Sequence, residues 1–389
     1  MHAALDCHGI VTGAPSRYRT HSVRKKKLIL SKVAPARLRA ADDAGDDYGQ
    51  TDGPDWRSID WLAHLHRIEI QGAEVAYVDI GEEGEDRPIV FVHGLSGQWQ
   101  NWLENLPRFA QSRRVVAVDL PGFGTSEMPR EDISIELYGA WLEELCERLD
   151  LGPVVLVGNS MGGFVCAETA ITHPDRVERM LLLSSAGISS ASAFQPTVIL
   201  VGKVAGLMVA STATRMRFIA RHSSLRRLAL LVVARHPSRL APDLVYEGFL
   251  KGAGKPAFYD GLMACVQYEF RDRLPQVACP TVVVWGEKDM ILPVEDADTF
   301  VSMIPGARRI LFKDTGHVPM AERPATFNAA LDEFLHYEVD EGEVEGEDEA
   351  REVASSAAAG TGAPRTAANT ASDRAGTAAG AAAEGGGDS

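Results

Sequence analysis

Cysteine is scarce in this sequence, and no two cysteines have the spacing of a metal-binding or redox pair. The five thiols are Cys7, Cys146, Cys166, Cys265 and Cys279. Their odd number and wide spacing argue against a disulfide framework and against a zinc site, and favour reduced thiols in a cytoplasmic protein. The sequence also has no nucleotide-binding or metal-binding motif, so no metal and no other cofactor is predicted. The N-terminal region lacks the apolar segment of a secretory signal.

An excess of positive charge is absent as well, and so is an apolar segment long enough to cross a membrane. The formal net charge is −15, which disfavours nucleic acid as a partner. The strongly apolar stretch at 194–210 is interrupted by Lys203 and is too short to span a bilayer. With 389 residues, of which 45% are hydrophobic, the chain can instead bury one large core.

Both ends of the chain differ in composition from the middle. Residues 1–60 show no sustained apolar period, and we predict a disordered basic tail there. A transit peptide is a weaker alternative because the segment is poor in serine. Residues 338–389 begin with an acidic run and continue with an Ala-, Gly- and Thr-rich stretch. This stretch lacks the large apolar groups that would offset the entropy of ordering, so disorder is predicted here too.

Between these ends, short apolar runs alternate with helical patterns. The continuous apolar runs, typical of strands covered on both faces, lie at 88–92, 114–119, 153–157, 179–184, 280–285 and 307–312. Residues 66–80 alternate apolar and polar, which predicts an antiparallel hairpin at the sheet edge. Residues 187–270 are an exception, because this long insertion has helical patterns and no strand pattern. The sequence thus predicts an α/β core over 61–186 and 271–337, interrupted by a helical insertion.

A serine between glycines follows one of the predicted strands. Gly158, Ser160 and Gly162 form a G-x-S-x-G pattern between the apolar run at 153–157 and a helical pattern. At such a turn the serine takes a sparsely populated backbone conformation, and only glycines let the strand and the helix approach so closely. The turn presents the hydroxyl at the edge of the sheet, so we predict that Ser160 is a nucleophile.

Two later residues are candidates for the base and the acid that a serine nucleophile needs. Asp289 and His317 each follow a predicted strand, and the carboxyl ends of parallel strands meet at one edge of a sheet. His317 is assigned as the general base, and Asp289 as the acid that holds the imidazole in one tautomer. Asp314 and Glu287 lie close to these residues in the sequence and are alternative acids.

The loop after the strand at 88–92 is predicted to form half of an oxyanion hole. His93 and Gly94 make a tight turn at the carboxyl end of that strand, and we expect them to support the loop without reacting. The oxyanion that develops on a carbonyl needs two donors. The candidates are the backbone N–H groups of Leu95 and Met161.

The order serine, aspartate, histidine, with these strand-end positions, resembles the α/β-hydrolase superfamily, in particular its single-domain, cap-bearing hydrolases. Residues 119–126, D-L-P-G-F-G-T-S, are similar to that family's loop after its fourth strand. The resemblance runs from about residue 68 to 335. It implies a doubly wound, mostly parallel sheet of eight strands with helices on both faces. It also implies a helical cap over the site, for which 187–270 is the candidate.

The expected reaction is hydrolysis of an ester-like carbonyl bond through an acyl-serine, on a small-molecule acyl or aromatic carbonyl substrate. Met208, Phe218 and Met263 in the insertion are candidate pocket residues, although such residues more often pack a cap against the core. One alternative is a hydrolase that cleaves carbon–carbon bonds in aromatic ring-cleavage products. The serine turn of such hydrolases, the nucleophile elbow, resembles the turn around Ser160. Those relatives usually carry tryptophan after the catalytic histidine, where this chain has Val318. A cofactorless haloperoxidase-like enzyme and a ligand-sensing receptor on the same fold are further alternatives.

Charge is unevenly distributed between the insertion and the C-terminal tail. No Asp or Glu occurs between Met180 and Pro242, whereas residues 338–349 contain eight acids. The plain interpretation is two separately solvated charge runs. Two alternatives are that the basic insertion contacts an anionic membrane surface or substrate, or that the acidic tail folds back on it. The sequence makes no prediction about the oligomeric state.

Overall fold

A nine-stranded sheet forms the centre of the protein. The computed structural model describes residues 10–13, 47–84, 86–189, 213–251 and 255–336. The strands are β1 (Ile10–Gly13), β2 (Leu65–Ile70), β3 (Ala73–Ile80), β4 (Ile89–Val92), β5 (Val115–Val118), β6 (Val154–Asn159), β7 (Val177–Leu183), β8 (Thr281–Gly286) and β9 (Arg308–Phe312).

The sheet is mostly parallel, as predicted. Its strand order is β1-β9-β8-β7-β6-β4-β5-β3-β2. Strands β4 to β9 pair in parallel with one another, whereas β3 pairs antiparallel with β5 and with β2. The eight strands from β2 to β9 are those that the resemblance implied, and β1 pairs antiparallel with β9 as an additional edge strand. Because β4 lies between β5 and β6, the loop that follows it starts beside the end of β6.

Helices lie between the strands in the chain, and two more follow the last strand. They are α1 (Trp61–His64), α2 (Leu106–Phe109), α3 (Ile135–Arg148), α4 (Met161–Thr172), α5 (Ala213–Arg221), α6 (Ser223–Ala229), α7 (Pro242–Leu244), α8 (Phe258–Gln267), α9 (Glu295–Met303), α10 (Pro319–Glu322) and α11 (Pro324–Leu335). A π-helical turn spans Val245–Leu250, and 3-10 turns span Trp56–Ser58, Trp99–Trp102, Pro174–Arg176, Pro237–Arg239 and Arg271–Gln276. None of the helices in the described ranges is both long and apolar enough to cross a membrane.

Helices cover both faces of the sheet, which confirms the doubly wound architecture. Alternate side chains of a strand point to opposite faces. In β4, Val90 and Val92 belong to one hydrophobic cluster, which includes buried residues of α3, α4 and α9. Ile89 and Phe91 belong to a second cluster, which includes residues of α2, α5 and α11. The carboxyl ends of the central strands are therefore held between two packed layers.

The insertion between β7 and β8 is helical where the structure describes it. Residues 213–251 and 255–270 form α5, α6, α7, the π-helical turn and α8, with no strand among them. Residues 190–212 and 252–254 of the predicted cap lie outside the described residues. That this insertion acts as a cap over the site remains a prediction.

The prediction of a disordered tail over 1–60 is wrong for residues 10–13, which form β1, and for residues 47–60. Tyr48 and Trp56 are 4% and 7% exposed, and the indole N–H of Trp56 donates to Glu104 over 2.9 Å. Asp52 accepts a hydrogen bond of 2.7 Å from the side chain of Asn328. Isolated aromatic and polar residues hold this segment in place, so it carries no apolar period in the sequence. The predicted tail at 338–389 lies outside the described residues.

Candidate active site

The turn from β6 to α4 has the backbone geometry expected of a nucleophile elbow. Ser160 has φ +55° and ψ −119°, in a region that non-glycine residues seldom occupy. A Cβ atom on Gly158 would lie 2.4 Å from the carbonyl oxygen of Gly162, and a Cβ atom on Gly162 would lie 2.2 Å from that of Val92. Larger residues at these two positions would therefore separate the strand from the helix. The glycines let the serine occupy the tight turn.

His317 is paired with Asp289. Its Nδ1 atom lies 2.7 Å from Oδ2 of Asp289, and the side chain of Asp289 is fully buried. The other carboxylate oxygen of Asp289 accepts from the backbone N–H groups of Ile291 and Leu292, at 2.8 and 3.1 Å. Both oxygens of the acid are thus held in place. Because Nδ1–H donates to the carboxylate, Nε2 is the basic nitrogen of the neutral ring.

Asn159 connects the elbow with the loop that carries His317. Its side-chain amide donates to the carbonyl oxygen of His317 over 3.3 Å and to that of Leu183 over 3.1 Å. The backbone N–H of Ser160 also donates to Leu183, over 3.0 Å. The ends of β6 and β7 and the loop after β9 are therefore bound together. The backbone of His317 therefore lies beside the turn that carries Ser160.

The alternative acid Asp314 has other partners. Its Oδ1 accepts from Nε of Arg235, and its Oδ2 is bound to Nε2 of His236, each over 2.7 Å. Both carboxylate oxygens thus face residues of the insertion. Since His317 is bound to Asp289, the geometry favours Asp289 as its acid.

The loop after β4 packs directly against the elbow. A Cβ atom on Gly94 would lie 2.9 Å from the Cβ atom of Ser160, so this position accepts only glycine without a shift. A Cβ atom on Gly261, in α8, would lie 3.1 Å from Leu95 and 3.4 Å from Met161. The two candidate oxyanion residues therefore lie beside the same helix. Met161 is the first residue of α4, where backbone N–H groups have no partner within the helix.

His93 is buried and hydrogen-bonded on both ring nitrogens. The backbone N–H of Leu120 donates to its Nε2 over 3.0 Å, so Nδ1 carries the proton and donates to the carbonyl oxygen of Gly94 over 2.7 Å. Full burial lowers the pKa of His93 to about 4. A neutral ring with one fixed tautomer thus joins the loop after β4 to the loop after β5.

Asp119 stabilises the same two loops. Its carboxylate accepts from the backbone N–H groups of Trp99 and Thr125, each over 2.8 Å. Burial raises the pKa of Asp119 to about 6. A Cβ atom on Gly124 would lie 2.0 Å from this carboxylate, which explains the glycine at that place in the loop. Asp119 thus joins the loop after β5, in which it lies, to the segment around Trp99 that follows β4.

A buried glutamate that the sequence analysis missed lies behind the histidine loop. Glu322 is completely buried. Its Oε1 accepts from the backbone N–H groups of Gly316 and Val318, which flank the histidine, at 2.8 and 3.4 Å. Its Oε2 accepts from the hydroxyl of Tyr48 and from the backbone N–H of Arg235, each at 2.7 Å. We call Glu322 and these four donors the buried network.

The buried network joins three distant parts of the chain. It connects the N-terminal segment at Tyr48, the insertion at Arg235 and the loop around His317. The backbone N–H of His317 itself donates to Val233 of the insertion over 2.8 Å. In the sequence, Glu322 is a single charged residue, and nothing in the local pattern indicates that its carboxylate is buried.

The three predicted pocket residues have different environments. Met208 lies outside the described residues. Phe218 is 55% exposed, and its ring lies 4.1 Å from the ring of His222. Met263 is half-buried in α8, the helix that contacts Leu95 and Met161. An acyl pocket remains a prediction. No group of three or more metal-ligating side chains occurs in the part of the chain that the structure describes.

Comparisons with known proteins agree with this fold. Residues 87–324 match the family described as alpha/beta hydrolase fold. A 2-hydroxymuconate semialdehyde hydrolase of Pseudomonas sp. (strain CF600) is 30% identical over 266 residues, 66% of this chain and 89% of the relative. The acetyltransferase component of an acetoin cleaving system from Cupriavidus necator is 29% identical over 316 residues, 79% of each chain. A solved structure of an N-acyl homoserine lactone degrading enzyme is 27% identical, with a TM-score of 0.52, covering 69% of this chain and 100% of that chain.

Proposed function

This chain belongs to the α/β-hydrolase fold family, and we propose that it is a serine hydrolase that cleaves an ester-like carbonyl bond through an acyl-serine intermediate. The observation that carries the proposal is the hydrogen bond of 2.7 Å between His317 and the buried Asp289, together with the positive φ of +55° at Ser160. A nucleophile, a base and an acid that orients the base are the parts that acyl transfer requires.

In the proposed reaction, Ser160 attacks the carbonyl carbon while Nε2 of His317 takes the hydroxyl proton. Asp289 keeps the imidazole in the tautomer with Nδ1 protonated and stabilises the imidazolium that forms. His317 then gives the proton to the departing alcohol oxygen, which leaves an acyl-serine. A water molecule, deprotonated by the same nitrogen, attacks the acyl group and releases the carboxylic acid and the free serine.

The oxyanion of each tetrahedral intermediate is proposed to bind the backbone N–H groups of Leu95 and Met161. Two features support this assignment: the loop after β4 packs on Ser160 through Gly94, and Met161 begins α4. One such donor typically contributes about 3 kcal/mol of transition-state stabilisation. Since these donors belong to the backbone, their position depends on His93 and Asp119, which fix the neighbouring loops.

A second candidate is hydrolysis of a carbon–carbon bond in an aromatic ring-cleavage product. The relative at 30% identity that is named a 2-hydroxymuconate semialdehyde hydrolase favours it, as does the elbow sequence G-N-S-M-G-G. The buried Val318 argues against it, because such hydrolases usually have tryptophan at the position after the catalytic histidine. We therefore place ester-like substrates first. The haloperoxidase-like reaction has no residue here that favours it.

The described cysteines support a reducing compartment, and we propose a cytoplasmic location. Cys146, Cys166, Cys265 and Cys279 are buried free thiols. Burial raises the pKa of each thiol above its ordinary value, which keeps them protonated and unreactive.

Two assays test the proposed reaction. A fluorophosphonate probe should label the protein, and Ser160→Ala should lose labelling and turnover without a change in unfolding midpoint. Ser184→Ala is the matched control, because Ser184 follows the neighbouring strand β7 and also has a positive φ, of 44°. Labelling that persists in Ser160→Ala, or that disappears in Ser184→Ala alone, would refute the assignment of the nucleophile.

Nitrophenyl esters of graded chain length, assayed beside a ring-cleavage product, separate the two candidate reactions. Turnover of the esters with little turnover of the ring-cleavage product is expected. The reverse preference would select carbon–carbon bond hydrolysis. A single slow labelling event with no sustained turnover of either substrate class would favour a ligand-sensing receptor. Met263→Ala should change the chain-length preference if α8 lines the acyl pocket.

A further inference from the structure

Helices α5 and α6 carry an unusual concentration of positive charge. We call residues 213–229 the basic hairpin; its arginines are Arg215, Arg217, Arg221, Arg226 and Arg227. The sequence has no Asp or Glu from residue 179 to residue 242, so no nearby acid in the sequence balances this charge. Arg215, Arg217 and Arg221 are exposed.

One arginine of the basic hairpin has a structural role, which distinguishes it from the exposed ones. Arg226 is 6% exposed, and its guanidinium donates to the carbonyl oxygens of Ala220 and Ser238. It therefore holds the hairpin against the 3-10 turn that follows. Arg215 and Arg221 are exposed, whereas the guanidinium of Arg217 lies over the ring of Tyr246, 4.9 Å from the ring centroid.

Large apolar side chains are exposed beside these arginines. Phe218, Leu228 and Val232 are 55%, 68% and 41% exposed, and they are three of the six large hydrophobic residues that are exposed in the described chain. Single exposed apolar residues are ordinary. Here, three lie within the fifteen residues from 218 to 232, which overlap the basic hairpin. Exposed apolar side chains that lie close together mark contact surfaces.

Arg221 and the exposed Phe218 share one face of α5. Met216 and Ala220 are 4% and 1% exposed and face the protein. Residues 218 and 221 are three positions apart, which makes them neighbours on the opposite side of a helix. In α6, Arg226 is buried while Leu228 is exposed. The outward side of the basic hairpin thus combines guanidinium groups with apolar side chains.

An anionic phospholipid bilayer is the partner whose chemistry matches this surface. Helices that lie on membranes combine basic residues with aromatic and aliphatic side chains that enter the headgroup region. An acidic protein would pair with the arginines, but it would give no reason for the exposed apolar groups. The preceding residues 194–210 point the same way, since they are strongly apolar and Lys203 is their only charged residue. We propose that the basic hairpin docks on an anionic bilayer, with Phe218 and Leu228 entering the headgroup layer.

Vesicle sedimentation of the full-length protein tests the proposal without relying on catalysis. The protein should sediment with vesicles of phosphatidylcholine mixed with phosphatidylglycerol, and not with phosphatidylcholine alone. Raising the salt concentration should weaken the binding, because screening shortens the range of the charge interaction. Each arginine near an anionic surface contributes about 1 kcal/mol. Arg215→Glu with Arg221→Glu should therefore weaken partitioning by at least about thirtyfold.

Matched controls separate docking from general charge effects. Arg130→Glu with Arg308→Glu changes the net charge equally at two exposed positions outside the insertion, and partitioning should change less than threefold. Phe218→Ser with Leu228→Ser should weaken binding at both low and high salt, since the apolar contribution is not screened. The unfolding midpoint of each variant shows whether the fold is retained.

Three results would overturn the proposal. One is equal binding by the hairpin arginine variant and the wild type. Another is equal binding by the variant at Phe218 and Leu228 and the wild type. The third is binding that appears only after truncation at Tyr337, which would show that the acidic segment 338–349 occupies the hairpin in the full chain. Turnover of soluble esters by the hairpin arginine variant should remain unchanged, so failure of docking and failure of the proposed hydrolysis are distinguishable.

Discussion

Replacing Glu322 by glutamine should disturb the loop that carries His317. The carboxylate accepts four hydrogen bonds, two on each oxygen. A glutamine amide has only one oxygen, so its NH2 group must face two donors. Hydrogen bonds to charged groups contribute about 1.5–3 kcal/mol each, so losing two costs about 3–6 kcal/mol. The neutral amide recovers part of the cost of burying a charge, which leaves an expected loss of about 2–4 kcal/mol.

The effect on catalysis should follow from which donors lose their acceptor. Gly316 and Val318 flank His317, and both donate to Oε1 of Glu322. Glu322→Gln should therefore lower kcat at least tenfold while KM changes little, because the loop moves the base and not the substrate contacts. Tyr48→Phe removes a single donor from Oε2, and should cost about 1–2 kcal/mol of stability with a smaller loss of kcat.

Urea unfolding and steady-state kinetics on a nitrophenyl ester, at a temperature well below the unfolding midpoint, measure both effects. Glu333→Gln is the matched control, since this glutamate is exposed in the next helix, α11, and surface changes are usually within about 0.5 kcal/mol. Unchanged stability and kcat in Glu322→Gln would refute the reasoning altogether. A loss of stability with an unchanged kcat would show that the buried network supports the fold without positioning His317.

Three further predictions concern residues around the site. Asp289→Asn should lower kcat by about four decades, as in other triads, whereas Asp314→Asn should be mild; the opposite ranking would reassign the acid. Burial lowers the pKa of His93 from 6.5 to about 4, so the unfolded chain binds more protons in that interval. Stability should therefore fall by up to about 3 kcal/mol as pH falls through it, and His93→Asn should lack this loss in urea titrations. Gly94→Ala should lower kcat at least tenfold, because its Cβ would press on Ser160, whereas Gly84→Ala, with nothing within 4 Å, should leave it unchanged.

The strand ends were predictable because their signals are local. A run of apolar residues followed by a glycine turn predicts a buried strand and its end, and this pattern led to the assignment of Ser160 and Asp289; for His317 the glycine comes four residues after the run. The choice of Asp289 over Asp314 as the partner of His317 required the tertiary structure. Asp314 is nearer in sequence, but Arg235 and His236 of the insertion bind both of its oxygens, and no local pattern contains those partners.

The N-terminal segment and the buried network were missed for the same physical reason. Tyr48, Trp56 and Glu322 are single residues whose partners lie far away in the chain, so they add nothing to a helical or strand period. Disorder was predicted for 1–60 from low apolar content, yet two buried aromatic rings and a few hydrogen bonds are enough to hold residues 47–60. Composition reports the average of a segment and not the burial of single side chains.

The hydrogen bond between Tyr48 and Glu322 also determines when the site can form during translation. It joins residues 274 positions apart, and such distant contacts form late because a large loop must close first. During synthesis Tyr48 leaves the ribosome long before Glu322 exists, so its hydroxyl has no acceptor there until nearly the whole described chain has been translated. A nascent chain that already contains Ser160 still lacks the acid, the base and the carboxylate behind them. Completion of the site is thereby tied to completion of the polypeptide, and ribosome-bound chains released before residue 322 should be inactive.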